Sequence, residues 1–170
     1  MKIIFVDGYN VINYWPELKQ IKDYSYESAR NKLVEILNNY ATYKGYKIYI
    51  IFDAHLVKGS LEKHEKASEK VSVVFTKEGE TADAFIEKTV DEIGRKAEVS
   101  VVTSDSLEQQ IVFQRGAVRV SSMEFHHEVK AAEEKIKGNI EKKYTNDKHV
   151  LEEVVDKEVL EKLEKIRRSK

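Results

Sequence analysis

The stretch IIFVDGYN, at residues 3–10, joins four consecutive apolar residues to an acid, a glycine and an asparagine. An apolar run without polar alternation is typical of a parallel strand that is covered on both faces. Asp7 therefore ends a predicted buried strand, and Gly8 lets the chain turn directly after it. Such a segment directs a carboxylate towards one edge of a sheet.

Further apolar segments alternate with segments in which apolar residues recur at helical spacing. This periodicity predicts helices over Tyr26–Tyr43, Thr81–Ile93, residues 106–114 and from Ser121 to about Lys143. Strands are predicted at Ile48–Phe52, Val71–Phe75, Val99–Val102 and Ala117–Val120. Because strands and helices alternate, we expect an α/β fold with a central, mainly parallel sheet flanked by helices on both faces.

The last part of the chain differs from the rest in composition. Residues 145–170 are rich in charges of both signs, and a final helix is predicted from about Asp156 to Arg168. An apolar stripe runs along that helix through Val159, Leu160, Leu163 and Ile166. We therefore expect a domain of residues 1–144 and a charged C-terminal helical tail, residues 145–170, that packs on it. A partly frayed tail is the alternative.

Composition limits the classes of protein to which the chain can belong. Its 170 residues favour one domain, and the absence of cysteine excludes disulfides, thiolate catalysis and zinc-thiolate sites. No stretch approaches the roughly 18 apolar residues of a membrane helix. The P-loop and the dinucleotide-binding glycine pattern are also missing. We expect a cytoplasmic monomer without a membrane contact or a nucleotide cofactor.

Four aspartates fall where the predicted fold would bring them together. In an open α/β sheet, ligands bind outside the carboxyl ends of the strands. Asp7, Asp53 and Asp105 each follow a predicted strand, and Asp83 lies in the first turn of the helix after the third strand. Neighbouring carboxylates repel one another unless a cation neutralises them, and hard oxygen ligands favour Mg²⁺ or Mn²⁺. The pattern predicts a metal site suited to phosphodiester hydrolysis.

Two uncharged residues beside these aspartates suit the same chemistry. Asn10 could orient a phosphate or a metal-bound water without adding charge, and the Ser104 hydroxyl could do similar work. Each acid also has a structural explanation when it is taken alone. Asp105 can cap a helix, Asp83 suits a helix N-terminus and Asp53 can orient its loop. The joint pattern is stronger than any single member.

Side chains near the same edge predict contacts with nucleic acid. Tyr9 can stack on an unpaired base, and Arg115 and Arg119 fall near the predicted edge of the sheet. The net charge of −1 gives no general attraction to nucleic acid, so RNA binding requires a local basic patch. Core packing of the aromatic residues and solvation of the arginines are the alternatives.

Several segments, taken as a set, resemble those of one nuclease family. They are VDGYN at residues 6–10, FDAH at 52–55, LVKG at 56–59, FTKE at 75–78, ETAD at 80–83 and TSD at 103–105. This set resembles the NYN domain, a PIN-like nuclease class, and most of all its YacP type. The likeness includes the tail at residues 160–168 and so extends over nearly the whole chain.

The resemblance implies a three-layer PIN-like fold with a C-terminal helical extension, and a Mg²⁺-dependent RNA endonuclease in which Mn²⁺ can substitute. It places Asp7, Asp83 and Asp105 at acidic metal-site positions and Asn10 at the signature asparagine of the family. Asp53 matches an acidic position whose role, metal ligation included, stays open. The YacP type includes a ribosome-associated enzyme that cuts mRNA in the A site. The implied partners are therefore mRNA and the ribosome.

Two other functions compete with this one. The main alternative is a non-catalytic RNA- or ribosome-binding module that keeps the same fold. A phosphatase or 5′-nuclease acting on small or DNA substrates is a third hypothesis, although no Asp-x-Asp motif follows the first strand. Exchange of Asp7 or Asp83 for Asn separates the first two, because only an enzyme has metal-dependent cleavage to lose.

Overall fold

The computed structural model describes residues 1–54, 58–104 and 116–168, with the side chains at 149–157 and 160 outside the description. Within these ranges the strands are β1 (Lys2–Asp7), β2 (Lys47–Phe52), β3 (Lys63–Lys66), β4 (Val71–Phe75), β5 (Glu98–Val102) and β6 (Val118–Val120). The helices are α1 (Gly8–Tyr14), α2 (Pro16–Lys22), α3 (Tyr26–Lys44), α4 (Ala82–Ile93) and α5 (Ser122–Arg168). The helix predicted over residues 106–114 lies outside the described residues.

The strands form one sheet in the order β3-β4-β2-β1-β5-β6. All neighbouring pairs are parallel except β3 and β4, which are antiparallel. The predicted mainly parallel α/β sheet is therefore confirmed. Strand β1 lies at the centre, between β2 and β5, so its carboxyl end opens in the middle of the sheet edge.

Helices cover both faces of the sheet, as the apolar strands predict. Along β1, Ile4 and Val6 pack into a core with α1, α2, α3 and the first turns of α5. Phe5, between them, packs on the opposite face with Ile86 of α4. Successive side chains of a strand point to opposite faces, so one apolar strand supplies two cores. The three-layer arrangement follows from this alternation.

The bounds of the two predicted inner helices are set by local capping. The Ser25 hydroxyl accepts a hydrogen bond from the Ser28 N–H at 3.2 Å, and Gly45 ends α3 in the left-handed conformation with φ 73°. Helix α4 begins where the Thr81 hydroxyl accepts from the Ala84 N–H at 3.1 Å, and it ends at Gly94. These caps are sequence-local, which is why both helices were predictable.

Three elements were not predicted from the sequence. Helices α1 and α2 are seven residues each, too short to be stable alone, and they are joined through the buried Trp15. Strand β3 has only exposed, charged residues (KHEK) and forms by pairing with β4 at the edge of the sheet. Each of these elements depends on partners elsewhere in the chain.

The structure contains two compact units, Met1–Ala132 and Glu133–Lys170. Helix α5 is continuous from Ser122 to Arg168, where the sequence predicted a break near Thr145. Within its last turns Val159, Leu163 and Ile166 are 49%, 57% and 61% exposed. The division at residues 144 and 145, and the packing of the tail on the domain, stay predictions. In the described part of the chain, no helix has an apolar stretch that could cross a membrane.

Candidate active site

The candidate site lies at the carboxyl ends of the central strands, here called the rim. Asp7 is the last residue of β1, and Asp53 follows β2 directly. The two strands are neighbours, and Asp7 is in register with Ile51, two residues before Asp53. Both aspartates are partly buried. The sheet therefore brings two carboxylates to adjacent positions on one edge, as the strand pattern predicted.

Helix α1 begins immediately after Asp7, and this close start depends on Gly8. The Asp7 carboxylate accepts a hydrogen bond from the Asn10 N–H at 3.3 Å and so caps the helix. A Cβ atom at position 8 would overlap the ring of Phe52, which ends β2. The glycine at this position therefore permits a close approach between α1 and the neighbouring strand.

Asn10 joins three separate parts of the fold. Its Oδ1 atom accepts hydrogen bonds from the Ser104 N–H at 2.9 Å and from the Ser122 hydroxyl at 2.6 Å. A carbonyl oxygen has two lone pairs, so these donors occupy its acceptor capacity. What Asn10 can offer a ligand is therefore its amide N–H₂ group, which acts as a donor only.

Ser122 is a site residue that sequence reasoning missed. It is fully buried, its backbone N–H donates to the Ser104 hydroxyl at 3.1 Å, and its carbonyl accepts from the Trp15 Nε1–H at 2.8 Å. The capping pattern of Ser121 and Glu124 correctly placed the start of α5. That local signal contains nothing about partners about a hundred residues away.

Asp53 and Asp83 both adjoin the N-terminus of α4. The Asp53 Oδ2 atom accepts a long hydrogen bond, 3.4 Å, from the N–H of Ala82, the first residue of the helix. Asp83 is the next residue, in the first turn, and is partly buried. The positive end of a helix dipole stabilises nearby negative charge, which offsets part of the repulsion between the two acids.

A further carboxylate lies beside this corner. The Oε1 atom of Glu80 is buried and has no hydrogen-bond partner among the described residues. A buried polar atom without a partner costs free energy in the unliganded protein. Glu80 precedes the Thr81 cap directly, so the ETAD motif contains a second, partly buried acid that sequence reasoning did not single out.

The donor chemistry of the rim fits Mg²⁺. Among the described residues, His, Cys, Asp and Glu side chains form no group of three that could hold a metal ion, and Asp105 lies outside that description. Magnesium usually binds through one or two carboxylates together with substrate phosphate, and it keeps several waters. Metal ligation by Asp7, Asp83 and Asp105, or by Asp53, stays a prediction.

The residues predicted to contact the substrate lie in different parts of the structure. Tyr9 is partly buried and packs on Phe52, with ring centroids 5.0 Å apart. Arg119 is exposed on the edge strand β6, one residue before its carboxyl end, and Arg115 lies outside the described residues. Arg30 of α3 was missed, and its guanidinium donates to the Tyr9 hydroxyl at 3.3 Å.

The chain matches the family model of the YacP-like NYN domain over residues 4–168. It is a member of the YacP-like NYN family. Over 169 residues it is 43% identical to the protein YacP of Bacillus subtilis (strain 168), covering 99% of this chain and 98% of that protein.

Solved structures of the family have the same fold. The crystal structure of Rae1 (YacP) from Bacillus subtilis matches with a TM-score of 0.73 at 41% identity, covering 99% of this chain and 95% of that one. A tryptophan-to-leucine mutant of Rae1 matches with a TM-score of 0.71 at 38% identity, covering 82% and 81%. This NYN-family chain therefore has a nuclease-type fold, and the family resemblance of its motifs is confirmed.

Proposed function

We propose that this YacP-like protein is a Mg²⁺-dependent endoribonuclease that cuts mRNA on the ribosome and so contributes to mRNA decay. The observation that carries the proposal is the rim itself. Asp7 stands at the end of the central strand of a nuclease-type fold, beside Asp53 and next to an asparagine whose orientation is fixed by two hydrogen bonds. Fixed polar groups at a strand end are what positional catalysis requires.

In this mechanism Asp7, Asp83 and Asp105 would hold Mg²⁺, or Mn²⁺ in its place. A metal bound there would supply an activated water and would offset the charge that develops on the phosphate oxygens. The Asn10 N–H₂ group donates to a phosphate oxygen or to the attacking water, since its carbonyl oxygen is already occupied. One P–O bond forms to the water oxygen, the bond to the leaving ribose oxygen breaks, and that oxygen takes up a proton.

The ribosome supplies binding energy that this chain lacks. Phosphate contacts provide most of the affinity of proteins for free nucleic acid, and a net charge of −1 gives no general attraction. A docking platform that holds both enzyme and mRNA replaces that attraction with proximity. We expect faster cleavage of ribosome-bound mRNA than of the same mRNA free in solution, and equal rates would contradict the ribosomal part of the proposal.

The test compares wild type, Asp7→Asn and Asp83→Asn on translating ribosomes, with cleavage mapped by primer extension. Each exchange should slow cleavage by about 1,000-fold or more, because a bound metal supplies several kcal/mol to the transition state. Asp91→Asn is the matched control, since Asp91 is exposed near the other end of the same helix as Asp83. The metal dependence of cleavage is tested with a chelator on free mRNA at high enzyme concentration. Ribosomes are left out of that experiment because they themselves need Mg²⁺.

Two outcomes would overturn the mechanism. Cleavage by Asp7→Asn at the wild-type rate would remove the metal site from the reaction. Ribosome association by wild type without any cleavage would favour the non-catalytic binding module. Sedimentation with ribosomes, measured for every variant, separates a loss of chemistry from a loss of docking.

A further inference from the structure

A small surface depression opens beside the rim on the α1 and α3 side. It has a volume of about 280 Å³ and is lined by Tyr9, Asn13 and Tyr26. Tyr9 and Asn13 are four residues apart on α1 and so share one face of the helix. Tyr26 begins α3, is 50% exposed and meets Tyr9 edge to face, with ring centroids 5.9 Å apart. The depression thus offers an accessible aromatic ring next to polar groups.

The cationic side chain of Arg30 lies next to this depression. The partly buried Arg30 guanidinium lies 6.0 Å and 5.9 Å from the ring centroids of Phe52 and Phe75, and it donates one hydrogen bond, to the Tyr9 hydroxyl. A guanidinium has five N–H donors. Within the described parts of the chain, no carboxylate forms an ion pair with it. A partly buried guanidinium with spare N–H donors is suited to an anionic ligand.

The aromatic ring and the cation adjoin the predicted cleavage position. Tyr9 follows Asp7 by two residues, and Phe52 immediately precedes Asp53. A group bound between Tyr26 and Arg30 is therefore beside the carboxylates of the rim. Ligand clefts in proteins typically measure about 300–1,000 Å³, so a depression of about 280 Å³ suits one base and not a longer ligand.

We propose that Tyr9, Tyr26 and Arg30 form a subsite for one unpaired nucleotide of RNA adjacent to the scissile phosphate. The base stacks on Tyr26, and the Arg30 guanidinium binds a backbone phosphate in two-pronged fashion. Tyr9 holds the two groups together through its ring contact with Tyr26 and its hydroxyl contact with Arg30. The subsite rests on the proposed function, because it assigns the substrate of that same rim.

Stacking explains why such a subsite suits mRNA as a substrate. Every base has an aromatic face, so stacking on tyrosine is tolerant of sequence. Bases in a duplex are already stacked on their neighbours, which makes an unpaired base the preferred ligand. The subsite therefore selects single-stranded RNA without reading a particular base.

The test measures binding of a fluorescein-labelled single-stranded RNA by anisotropy, in chelator, so that no cleavage interferes. Tyr26→Ala should weaken binding by about 5- to 100-fold, the loss expected for one stacked base, while Tyr26→Phe should retain it. Tyr24→Ala is the matched control, since Tyr24 is 93% exposed and does not line the depression. An RNA with abasic positions should bind wild type as weakly as intact RNA binds Tyr26→Ala.

Arg30 is tested by the dependence of affinity on salt. Each phosphate contact to single-stranded nucleic acid contributes about −0.7 to the slope of log affinity against log salt. Arg30→Ala should make the slope shallower by about that amount, whereas Arg30→Lys should keep it. Lys32→Ala is the control, because Lys32 is exposed on the same helix and pairs with Glu35 at 3.6 Å.

The outcomes separate the subsite from the nuclease proposal. Equal binding by Tyr26→Ala and Tyr24→Ala, or failure of wild type to bind the RNA, overturns the subsite whatever the cleavage assay gives. Tyr26-dependent binding by a protein that never cleaves RNA supports the subsite and overturns the nuclease. Unchanged slope in Arg30→Ala removes the phosphate contact from the proposal.

Discussion

The two halves of the rim differ in how their polar groups are satisfied. In the β1–β5 half, Asn10, Ser104 and Ser122 bond to one another at 2.6–3.1 Å. In the β2–β4 half, a buried Glu80 oxygen has no partner among the described residues, and the Arg30 guanidinium makes one hydrogen bond to them. Buried polar groups are nearly always paired in folded proteins. The β1–β5 half, here called the satisfied half, is held by its own hydrogen bonds, whereas the β2–β4 half, here called the open half, has polar groups with spare capacity among the described residues.

The hydrogen bonds of the satisfied half also fix the positions of the groups that the rim can present to a substrate. A fully bonded network in a low-dielectric interior resists rearrangement. Asn10 is held by that network while its N–H₂ group stays available, and Asp7 lies three residues before it at the centre of the sheet. The scaffold thus positions donors and acids along one edge before any substrate binds.

The largest expected effect is the loss of stability that follows when Gly8 is exchanged for alanine. Gly8→Ala should lower the free energy of unfolding by about 3 kcal/mol, because the new methyl group would overlap the fully buried Phe52 ring. Urea unfolding followed by circular dichroism measures the change. Gly138→Ala in α5 is the control, since nothing lies within 4 Å of its added Cβ. It should leave stability equal or raise it, and a loss as large as that of Gly8→Ala would contradict the explanation.

The next effect concerns the open half, which a metal should stabilise. At a free Mg²⁺ concentration 100-fold above its dissociation constant, wild type should gain about 2.7 kcal/mol, or roughly 5–10 °C in melting temperature. Asp7→Asn should lose this gain while Asp91→Asn keeps it. Differential scanning fluorimetry with and without Mg²⁺ measures both. An equal Mg²⁺ response in Asp7→Asn would place the ion elsewhere.

A smaller effect is expected when the Ser122 hydroxyl is removed from the satisfied half of the rim. Ser122→Ala should cost about 1–2 kcal/mol of stability, because the buried Asn10 oxygen loses one of its two donors. Cleavage should slow by about 10- to 100-fold through misplacement of Asn10. Ser121→Ala removes the helix cap at the neighbouring position and should cost about 1 kcal/mol, with cleavage unchanged. Equal cleavage by the two variants would mean that Ser122 only stabilises the fold.

The smallest expected effect is a dependence of stability on pH. It arises where α2 contacts the start of α5. Partial burial alone would raise the pKa of Glu17, but hydrogen bonds from its own backbone N–H, Lys130 and His126 hold the pKa below its ordinary value of 4.5. Because the folded-state pKa is lowered, the stabilisation is fully present above pH 4.5 and is lost as the pH falls below it. Acid unfolding of wild type and Glu17→Gln should therefore converge at low pH. A stability gap that stays constant down to low pH would exclude this linkage.

Local signals in the sequence account for the elements that were predicted correctly. Strand β1 is a continuous apolar run, and α3 and α4 have both helical periodicity and their own caps. Such features need no knowledge of the rest of the chain. Helix α1 has a local cap in Asp7 but is only seven residues long, and strand β3 is wholly exposed and charged. Both form only where another element is already in place.

The candidate site divides in the same way. The sequence pattern indicated Asp7 at a strand end, Asp53 directly after one and Asp83 at a helix start, and the structure has them there, while their joint role as a site stays a prediction. It gave no sign of Ser122 or Arg30, whose contacts at the rim are with residues of other elements. Prediction from sequence therefore finds site residues at the ends of strands and helices more readily than residues whose role depends on contacts with other elements.

The sequence by itself determined a parallel α/β sheet with acids at the end of its central strand, because apolar periodicity and turn residues are local properties. The tertiary structure alone decided which polar groups already have hydrogen-bond partners and which have capacity left for a ligand. Asn10 has its oxygen occupied by donors 94 and 112 residues away, and Arg30 has spare donors because no carboxylate in the described structure reaches it. Hydrogen bonds depend on distance in space, and that distance exists only once the chain has folded.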